Sequence, residues 1–488
     1  MVESHSYPLV EQPNPSRTTA SMAVALMEWP PPLGQPDQES SHQKEDEDQP
    51  PLIGRDLVTV QNLKTPLLQL PPEILYEIFA YLPALDLARL SETCRILAQH
   101  ANNDLLWANL VNANLLDPIH DPGIFDSFRT LYITHHPCWF IPRHKLWFSD
   151  TEHTGNLILT RYDNRRGVIE GYRVTTERRS HKFQVWEYNP DVVIQAFEPK
   201  VSLWLDDPIL LLQRDPEGRR RYLNTESRMA MPIEVQYIFN AISLCQPGIP
   251  DELTDDTQWP PPNIPSEHRV YRDPEVDWEE WNKLPQSLSQ VSEYAFRIRR
   301  WAHFRLGLPM FTAGQRETVS TYSTLDPSLY TPTKEKPYQG IWVGDYSAHG
   351  CEFLLFLQDQ EQQQDDDPSS SSDPDPSSHD PTNNTIIQRG TLKAVKLTGD
   401  PNVPRGEFSF ISNDIGPAGT VRIASEALFQ GARVVRSRGH VAGLGFRDDT
   451  FITSQLILKS TDCVAHYWES MGHITYYRRL DIDRLIRT

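Results

Sequence analysis

The periodicity of apolar residues changes once along this 488-residue chain, from a helical to a strand-like pattern. Over residues 66–114 the apolar positions recur every three or four residues, in short pieces separated by proline and asparagine, as in a small helical bundle. Over residues 139–212 they alternate with polar positions, and from residue 338 onward short β-rich runs alternate with turn residues. Helices followed by strands predict an α+β chain: a small all-α bundle, then a mostly antiparallel β-barrel or β-sandwich with accessory helices.

Two local patterns make sharper predictions. The runs NLILTRY and GVIEGYRV flank a four-residue turn at residues 163–166, which predicts a β-hairpin. Further along, apolar residues at steps of three and four predict an amphipathic helix that packs on the sheet. These residues are Leu288, Val291, Ala295, Ile298 and Ala302.

Two segments carry too few apolar residues to offset the entropy lost when a chain becomes ordered. Residues 1–63 are rich in proline and include the acidic run EDED, so we expect a disordered tail. Residues 359–380 contain eight acids and no Lys or Arg between two strand-like runs, which predicts a disordered insertion in a loop between neighbouring strands. The helical bundle then spans residues 64–114, and residues 115–358 and 381–488 form one β-rich domain.

The charge and cysteine content disfavour several classes of protein. Lys and Arg number 46 against 66 Asp and Glu, a formal balance of −20, which disfavours binding to nucleic acid. The five cysteines are far apart and form no CxxC pair, so we predict neither a disulfide framework nor a metal site, and no cofactor. The chain has no secretory signal pattern and no run of 18 apolar residues. We therefore expect a cytoplasmic or nuclear protein that does not enter a membrane.

The helical segment carries more apolar surface than it can bury alone. Pro71 and Pro72 suit a first helical turn, where the missing N–H costs nothing, and Glu73 complements the positive end of the helix dipole. Two apolar clusters follow, on either side of Pro83, within fewer than fifty residues. A bundle of that size needs either the rest of the chain or a standing partner to cover its apolar surface.

The order and spacing of these residues resemble an F-box. The matching features are LPPE at residues 70–73, YLP at residues 81–83, DL at residues 86–87 and LW at residues 106–107. The resemblance implies docking on the Skp adaptor of a cullin-RING ubiquitin ligase, with its cullin and RING subunits as further partners. The positions expected to contact the adaptor are Leu70, Pro71, Pro72, Ile74, Leu75, Ile78, Leu82, Leu85, Leu87 and Leu90, with Trp107 either in the core or at the rim. The alternative is that these residues only form the core of the bundle.

The C-terminal region resembles the β-barrel of the animal F-box-only proteins that receive cyclin D. The matching stretches include GIWVGDYSAHGCEFLLF, GTLKAVKLTGDPNVPRG and AGLGF. Residues 139–340 depart from that pattern and lack the cysteine and histidine cluster of the animal relatives, so no zinc is expected. The chain is most similar to a fungal-type member of the group, and the resemblance implies that the barrel receives a protein substrate.

The candidate substrate site is at the mouth of the predicted barrel, which can hold an extended peptide through backbone hydrogen bonds and side-chain pockets. One group of candidates lies beside glycines, where a ligand can approach closely: Asp345, His349, Arg405 and His440. A second group is a concentrated basic patch that suits a phosphorylated or acidic segment: Arg433, Arg436, Arg438 and Arg447. Turns and a solvated strand face are the alternative interpretation.

No catalytic signature stands out in the sequence. It contains no GxxxxGK[ST], HExxH or GxSxG motif. We therefore expect a non-catalytic, substrate-recognition subunit of an SCF-type ligase, which presents a protein for ubiquitination and proteasomal degradation. Two alternatives stay open: an F-box scaffold outside any ligase, and a barrel that binds a small ligand.

Overall fold

The computed structural model describes residues 66–178, 182–213, 227–232, 238–247, 257–272, 284–302, 318–359 and 388–488. The predicted tail at residues 1–63 and the predicted insertion, apart from Asp359, lie outside these described residues.

The predicted helical bundle is confirmed. A 3-10 helix, Pro66–Gln69, precedes four α-helices: α1 Pro72–Phe79, α2 Ala84–Ser91, α3 Arg95–Ala101 and α4 Asp104–Asn112. Proline sets the starts of two of them, because Pro72 is the first residue of α1 and Pro83 immediately precedes α2. Asn103 caps α4 by accepting a hydrogen bond from the Leu105 N–H (3.0 Å). Two further helices, α5 Phe128–His135 and α6 Phe140–His144, lead into the β-structure.

Twenty-two strands are found in the described part of the chain. The first thirteen are β1 Leu146–Ser149, β2 Leu157–Asp163, β3 Val168–Arg178, β4 Phe183–Val185, β5 Val193–Gln195, β6 Pro199–Leu203, β7 Leu210–Leu212, β8 Ser227–Met229, β9 Ile238–Leu244, β10 Gln258–Trp259, β11 Val270–Tyr271, β12 Ala295–Ala302 and β13 Thr318–Ser323. The next nine are β14 Gly340–Asp345, β15 Cys351–Asp359, β16 Thr391–Lys396, β17 Phe408–Ser412, β18 Thr420–Ile423, β19 Arg433–Gly443, β20 Arg447–Ser460, β21 Cys463–Trp468 and β22 His473–Arg479. Two short helices, α7 Pro327–Tyr330 and α8 Ile482–Ile486, lie before β14 and after β22.

The first β-structure is an antiparallel sheet that is buried on both faces. Its strand order is β6-β3-β2-β1-β13-β12-β9-β8, with β7 paired to β3. Along β1, Leu146 and Phe148 belong to the apolar cluster shared with the later strands, whereas Trp147 belongs to the cluster shared with the helices. Because successive side chains point to opposite faces of a strand, the sheet lies as a layer between the helices and the second β-structure.

The predicted β-hairpin is confirmed. Strands β2 and β3 pair in antiparallel register from Ile158 opposite Arg173 to Asp163 opposite Val168. The carboxylate of Asp163 accepts a hydrogen bond from the Arg165 N–H (3.0 Å), as aspartate commonly does in a tight turn.

The prediction of an amphipathic helix over residues 288–302 is wrong. Leu288–Gln290 is a short 3-10 helix, and Ala295–Ala302 is strand β12, which pairs with both β9 and β13. Within β12 the buried Phe296 and Ile298 alternate with more exposed arginines, so the period is two. The apparent helical spacing joined residues of the 3-10 turn to residues of the strand. A helix here would also leave the facing edges of β9 and β13 without hydrogen-bond partners.

The second β-structure is a closed barrel of eight antiparallel strands, which confirms the predicted β-rich fold. The order is β14-β15-β16-β17-β19-β20-β21-β22, and β22 closes the barrel by pairing with β14 from Trp342 opposite Arg479 to Gly344 opposite Tyr477. Strand β18 pairs with β19, while β5 and β4 extend the sheet from β22. Strands β15 and β16 are paired neighbours, with Asp359 opposite Thr391. Residues 360–387, which hold all but the first residue of the predicted insertion, lie in sequence between these two strands and outside the described residues.

Aromatic side chains fill the barrel. Trp342 and Phe356 stack with ring centroids 4.5 Å apart, and Phe356 also contacts the rings of Phe410 and Tyr477 at centroid distances of 5.1 and 5.5 Å. Offset and edge-to-face pairs of this kind pack an apolar interior without voids. The barrel is therefore a packed core rather than an open channel along its whole length.

One apolar core connects the helical bundle to the sheet. It contains Trp107 of α4, Trp139 beside α6, and Trp147 and Phe296 of the sheet, all buried. The indole N–H of Trp107 donates to the carbonyl oxygen of Ala101 (2.9 Å), so this polar group is satisfied inside the core. The bundle is thus packed against the sheet rather than attached through a chain segment alone.

Candidate functional site

The first candidate surface is an apolar stripe on α1. Ile74 and Ile78 are 46% and 40% exposed and lie one helical turn apart, so they point in the same direction. Pro71 and Pro72 are exposed at the start of the same helix. Leu85 of α2 adds another exposed apolar side chain. These five residues are the part of the predicted adaptor-binding set that is accessible at the surface.

The other predicted contacts lie inward. Leu75 and Leu87 are each 1% exposed and Trp107 is fully buried, and all three belong to the core shared with the sheet. The prediction that Leu75 and Leu87 contact an adaptor is therefore corrected, because Leu75 and Phe79 form the inner stripe of α1 that packs on this core. A second group is partly buried against the same core: Leu70, Leu82 and Leu90.

Sequence reasoning missed several exposed apolar residues of the bundle. They are Leu67, Tyr81, Ile96 and Leu105. Each of these residues is next in sequence to an apolar residue that packs on the core, so its own side chain points away from the core. That position in the sequence could have identified them. With the stripe on α1 they give the small bundle an unusually apolar surface.

The second candidate surface is a polar cluster at one end of the barrel. The ammonium group of Lys396, at the end of β16, lies 2.8 Å from a carboxylate oxygen of Glu352 on β15 and 2.8 Å from one of Asp400. All three side chains are buried, and the Lys396 ammonium lies 4.6 Å from the centroid of the Tyr346 ring. The backbone N–H groups of Asn402 and Val403 donate to Asp400 (2.7 and 2.9 Å) and fix its carboxylate. Sequence reasoning did not predict this triad of Glu352, Lys396 and Asp400.

Burial and mutual contact separate the pKa values of the two carboxyl groups. Burial, together with the neighbouring Asp400, raises the pKa of Glu352 to about 8, against the opposing effect of Lys396. Burial also opposes ionisation of Asp400, but its hydrogen bond with Glu352 and the charge of Lys396 hold its pKa well below its usual range. At neutral pH the triad therefore holds a cation, an anion and a protonated carboxyl group. The three charged or polar groups meet one another's hydrogen-bonding needs inside the barrel end.

Two predicted substrate residues lie at this same end of the barrel. The Nδ1 atom of His349 is 4.0 Å from a carboxylate oxygen of Asp400, and the histidine side chain is 43% exposed. Asp345 is buried, forms an ion pair with Arg178 and accepts a hydrogen bond from the Ser347 N–H (3.0 Å). Burial raises the pKa of Asp345, and the charge of Arg178 opposes that rise. His349 is thus the more accessible of the two.

Arg405 and His440 are held by contacts within the chain. The guanidinium of Arg405 lies 4.6 Å from the centroid of the Trp259 ring and donates to the carbonyl oxygen of Asp150, and burial lowers the Arg405 pKa to about 10. His440 is buried, with ring nitrogens 2.8 Å from the Phe408 carbonyl oxygen and 3.0 Å from the Asp449 carboxylate. Both side chains are thus held by structural contacts, and their substrate roles stay predictions.

The predicted patch of four arginines is divided by the fold. Arg436 and Arg438 are exposed and lie two positions apart on β19, so they share its outer face. Arg433 is an odd number of residues away and falls on the other face of the strand. Arg447 is the first residue of β20, after the turn from β19, and its guanidinium donates to the Leu444 carbonyl oxygen (3.0 Å). The prediction of one common patch is corrected to a pair.

Comparison with known protein families now bears on both surfaces. The family described as F-box-like matches residues 67–113, and the family described as Cyclin D1 binding domain matches residues 322–484. The chain therefore contains an F-box-like domain. The F-box match covers α1 to α4, and the second match covers all eight strands of the closed barrel. The F-box protein therefore resembles the cyclin D-binding F-box-only proteins in both regions, as the sequence predicted.

A curated relative shares a smaller part of this F-box protein. Protein EXECUTER 2, chloroplastic, from Arabidopsis thaliana is 25% identical over 182 residues, which is 36% of this chain and 26% of that protein. The chain thus spans about a quarter of the length of this relative.

The described residues contain neither a metal-binding cluster nor a membrane-spanning helix. Within those residues, no group of three or more His, Cys, Asp or Glu side chains is arranged to hold a metal ion. No helix among them is long and apolar enough to cross a membrane.

Proposed function

We propose that this F-box protein is the substrate-recognition subunit of an SCF-type cullin-RING ubiquitin ligase. In this proposal the bundle at residues 64–114 docks on the Skp adaptor, which connects it to the cullin and RING subunits. The receptor domain, residues 115–358 and 381–488, presents a protein substrate for ubiquitination and proteasomal degradation. The protein itself carries out no chemistry and acts in the cytoplasm, the nucleus or both.

The outward apolar stripe of the F-box is the observation that carries the adaptor part of this proposal. The inner stripe of α1, with Leu75, is already used by the core, so the exposed Ile74 and Ile78 have no such role within the described chain. Two large aliphatic side chains one turn apart on a short helix are the typical anchors of a helical interface. The F-box-like match over residues 67–113 supports the adaptor as the protein that covers them.

The polar end of the barrel supports the receptor part of the proposal. The buried triad of Glu352, Lys396 and Asp400 and the exposed His349 concentrate hydrogen-bonding groups at one barrel end. We infer that this end binds a segment of the substrate. Because the matched family is described by cyclin D1 binding, a D-type cyclin is the first substrate to test.

The mechanism in this proposal is proximity. Binding energy at the barrel holds the substrate near the ubiquitin carrier and raises its effective concentration there. The apolar core that joins the F-box to the sheet, with Trp107 and Trp147, favours a fixed spacing between the two binding surfaces.

Affinity purification with the proteasome blocked tests the proposal. The tagged chain is compared with an Ile74→Asp/Ile78→Asp variant, which places charges on the stripe without opening the core. Val421→Asp, also at an exposed apolar position but on β18, is the matched control. We expect the double variant to lose the adaptor and the cullin while other bound proteins are retained or accumulate. Capture of the adaptor without any cullin would favour an F-box scaffold outside the ligase, and capture of neither by the intact chain would refute the proposal.

A further inference from the structure

Strand β4 is the last strand of the sheet that extends from the barrel, and its outer edge is open. Its one partner among the described strands is β5, which in turn pairs with β22 of the barrel. All three residues of β4, Phe183–Val185, are exposed. An open strand edge is a place where another strand can add to the sheet.

The register of β4 on β5 shows which backbone groups point toward the open edge. The Ala196 N–H donates to the carbonyl oxygen of Lys182 (2.9 Å), so these two residues form a hydrogen-bonded pair. Such pairs alternate along an antiparallel ladder with pairs that exchange no hydrogen bond, so Gln184 belongs to the next hydrogen-bonded pair. The N–H and C=O groups of Phe183 and Val185 therefore point away from β5. No described residue forms a hydrogen bond with these groups on the open side.

The outer face of this edge is apolar. Phe183 and Val185 are 67% and 72% exposed, and Val193, which lies opposite Val185 on β5, is 54% exposed. Edge strands usually carry a charged residue or a proline that discourages pairing, and the sequence of β4 contains neither. We call Phe183, Gln184, Val185 and Val193 the β4 edge. An occupant of the β4 edge needs an extended backbone with apolar side chains at alternate positions.

We propose that the β4 edge pairs with the β4 edge of a second copy of this chain, as an antiparallel dimer about a two-fold axis. The strand itself has the pattern that its edge requires, because one polar residue stands between two apolar ones. With the axis at Gln184, Phe183 of each copy lies opposite Val185 of the other, and each of these pairs can exchange both backbone hydrogen bonds. The two Gln184 side chains then face each other, where their amides can hydrogen-bond.

The charges next to β4 favour the antiparallel arrangement. Lys182 precedes the strand and Glu187 follows it, and both are exposed. In an antiparallel pair the Lys182 end of one strand lies beside the Glu187 end of the other, so unlike charges approach each other. A parallel pair would instead bring each charge beside its own copy. The charge pattern is therefore complementary between two copies in the proposed register.

The size of the contact indicates a weak dimer. Complete burial of the exposed fractions of Phe183, Val185 and Val193 in both copies would remove on the order of 600 Å² of apolar surface. Stable complexes usually bury at least about 1,200 Å². We therefore expect monomers in dilute solution and dimers at high concentration. Because β4 lies outside the residues matched as F-box-like, the inference goes beyond the proposed function and does not depend on it.

A cysteine on the two-fold axis tests the register directly. In an antiparallel pair without hydrogen bonds the Cα atoms are about 4.5 Å apart, which is within the range of about 4.4–6.8 Å that a disulfide spans. Gln184→Cys is made in the full chain, in which the exposed Cys94 carries Cys94→Ser, and oxidative cross-linking is followed on non-reducing gels. Phe183→Cys in the same chain is the matched control, because the register places Phe183 opposite Val185 rather than opposite its own copy.

Charge variants test the same contact in solution by sedimentation velocity. Phe183→Lys/Val185→Lys and Phe183→Glu/Val185→Glu place like charges opposite each other in the dimer, and the two variants mixed together place unlike charges opposite each other. Val421→Lys/Ile423→Lys is the matched control, since these exposed apolar residues also lie two positions apart on a strand, β18. Circular dichroism checks that each variant is folded.

We expect each charge variant alone to dimerise at least about tenfold more weakly than the wild type, and the mixture to recover dimer at low salt. The β18 control should dimerise as the wild type does, and Gln184→Cys should cross-link several-fold faster than Phe183→Cys. Equal cross-linking of the two cysteine variants, or dimerisation that the charge variants leave unchanged, would overturn the inference. A chain that stays monomeric at about 100 µM without cross-linking at Gln184 would also overturn it and leave the edge to a different protein. Capture of the adaptor and cullin by the wild type reports separately on the proposed function.

Discussion

Glu352→Gln tests the protonation of the buried triad at the barrel end. Glu352 is 2% exposed, and burial raises its pKa from 4.5 to about 8. Between those two pH values the folded chain keeps this proton and the unfolded chain has released it, so the free energy of unfolding falls as pH rises. One proton corresponds to about 1.4 kcal/mol per pH unit, or roughly 5 kcal/mol over the whole interval as an upper limit. Glutamine has the shape and the hydrogen-bonding groups of the protonated acid, so the variant lacks this dependence.

Urea denaturation between pH 5.5 and 9 measures the effect as a difference between the two proteins. We expect the stability of Glu352→Gln relative to the wild type to grow by about 1.4 kcal/mol per pH unit up to pH 8 and then to level off. Titration of groups that do not contact Glu352 cancels in this difference. Asp483→Asn, which removes a half-exposed carboxylate paired with Lys145, serves as the control. A difference between Glu352→Gln and wild type that does not change with pH would refute the assignment of a protonated carboxyl group to the triad.

Two further predictions concern packing in the barrel and in the F-box. Gly439→Ala places a methyl group where it overlaps the Trp468 ring. We expect the free energy of unfolding to fall by about 1–3 kcal/mol and the melting temperature to fall by several degrees. In the control variant Gly443→Ala, on the same strand, the new methyl group meets its nearest atom at 3.3 Å, so its stability stays close to that of the wild type. Equal melting temperatures for the two variants would contradict the packing at Gly439. Leu75→Ala creates a cavity in the core, so we expect denaturation to show a free energy of unfolding about 2–5 kcal/mol lower than that of the wild type. Ile74→Ala removes an exposed side chain, so its stability stays within about 0.5 kcal/mol of the wild type while adaptor capture becomes weaker. The reverse pattern would show that the two stripes of α1 had been assigned to the wrong sides.

Sequence reasoning identified the elements whose pattern is local. The F-box helices follow from proline positions and three-to-four spacing, and the β2–β3 hairpin follows from alternation on both sides of a polar turn. It failed over residues 288–302, where a short 3-10 turn next to a strand imitates a helical stripe. The choice between the two readings depends on β9 and β13, which supply the hydrogen bonds of β12 on both sides. Pairing with strands that are distant in sequence cannot be detected from the local periodicity of apolar residues.

The site residues also divide into features that the local pattern predicts and features that depend on tertiary packing. Apolar spacing on α1 shows that the helix has a wide apolar surface, but which stripe faces the core depends on how the bundle packs against α5 and the sheet. The four arginines are close together in sequence but do not share one surface. Alternation along β19 places Arg433 on the opposite face from Arg436 and Arg438, and the turn after β19 places Arg447 on the next strand. The triad was missed because Glu352 stands inside an apolar run and Lys396 ends another, and their contact arises only when β15 and β16 pair. A charged residue within a buried strand is nevertheless a signal, since burial without a partner would be too costly.

The position of the charged residues explains why this F-box protein carries two different kinds of polar surface. The triad at the barrel end is buried and compensated internally, so Lys396 and Asp400 contribute little net field and act only on groups that reach them. Arg436 and Arg438 are exposed and uncompensated among the described residues, so they attract an acidic chain over a longer distance but hold it weakly. A substrate that used both would be drawn to the barrel by the exposed pair and selected at the buried triad. Removing the arginines should then slow association with such a substrate, whereas altering the triad should speed its release, because steering charges govern encounter and buried contacts govern dissociation.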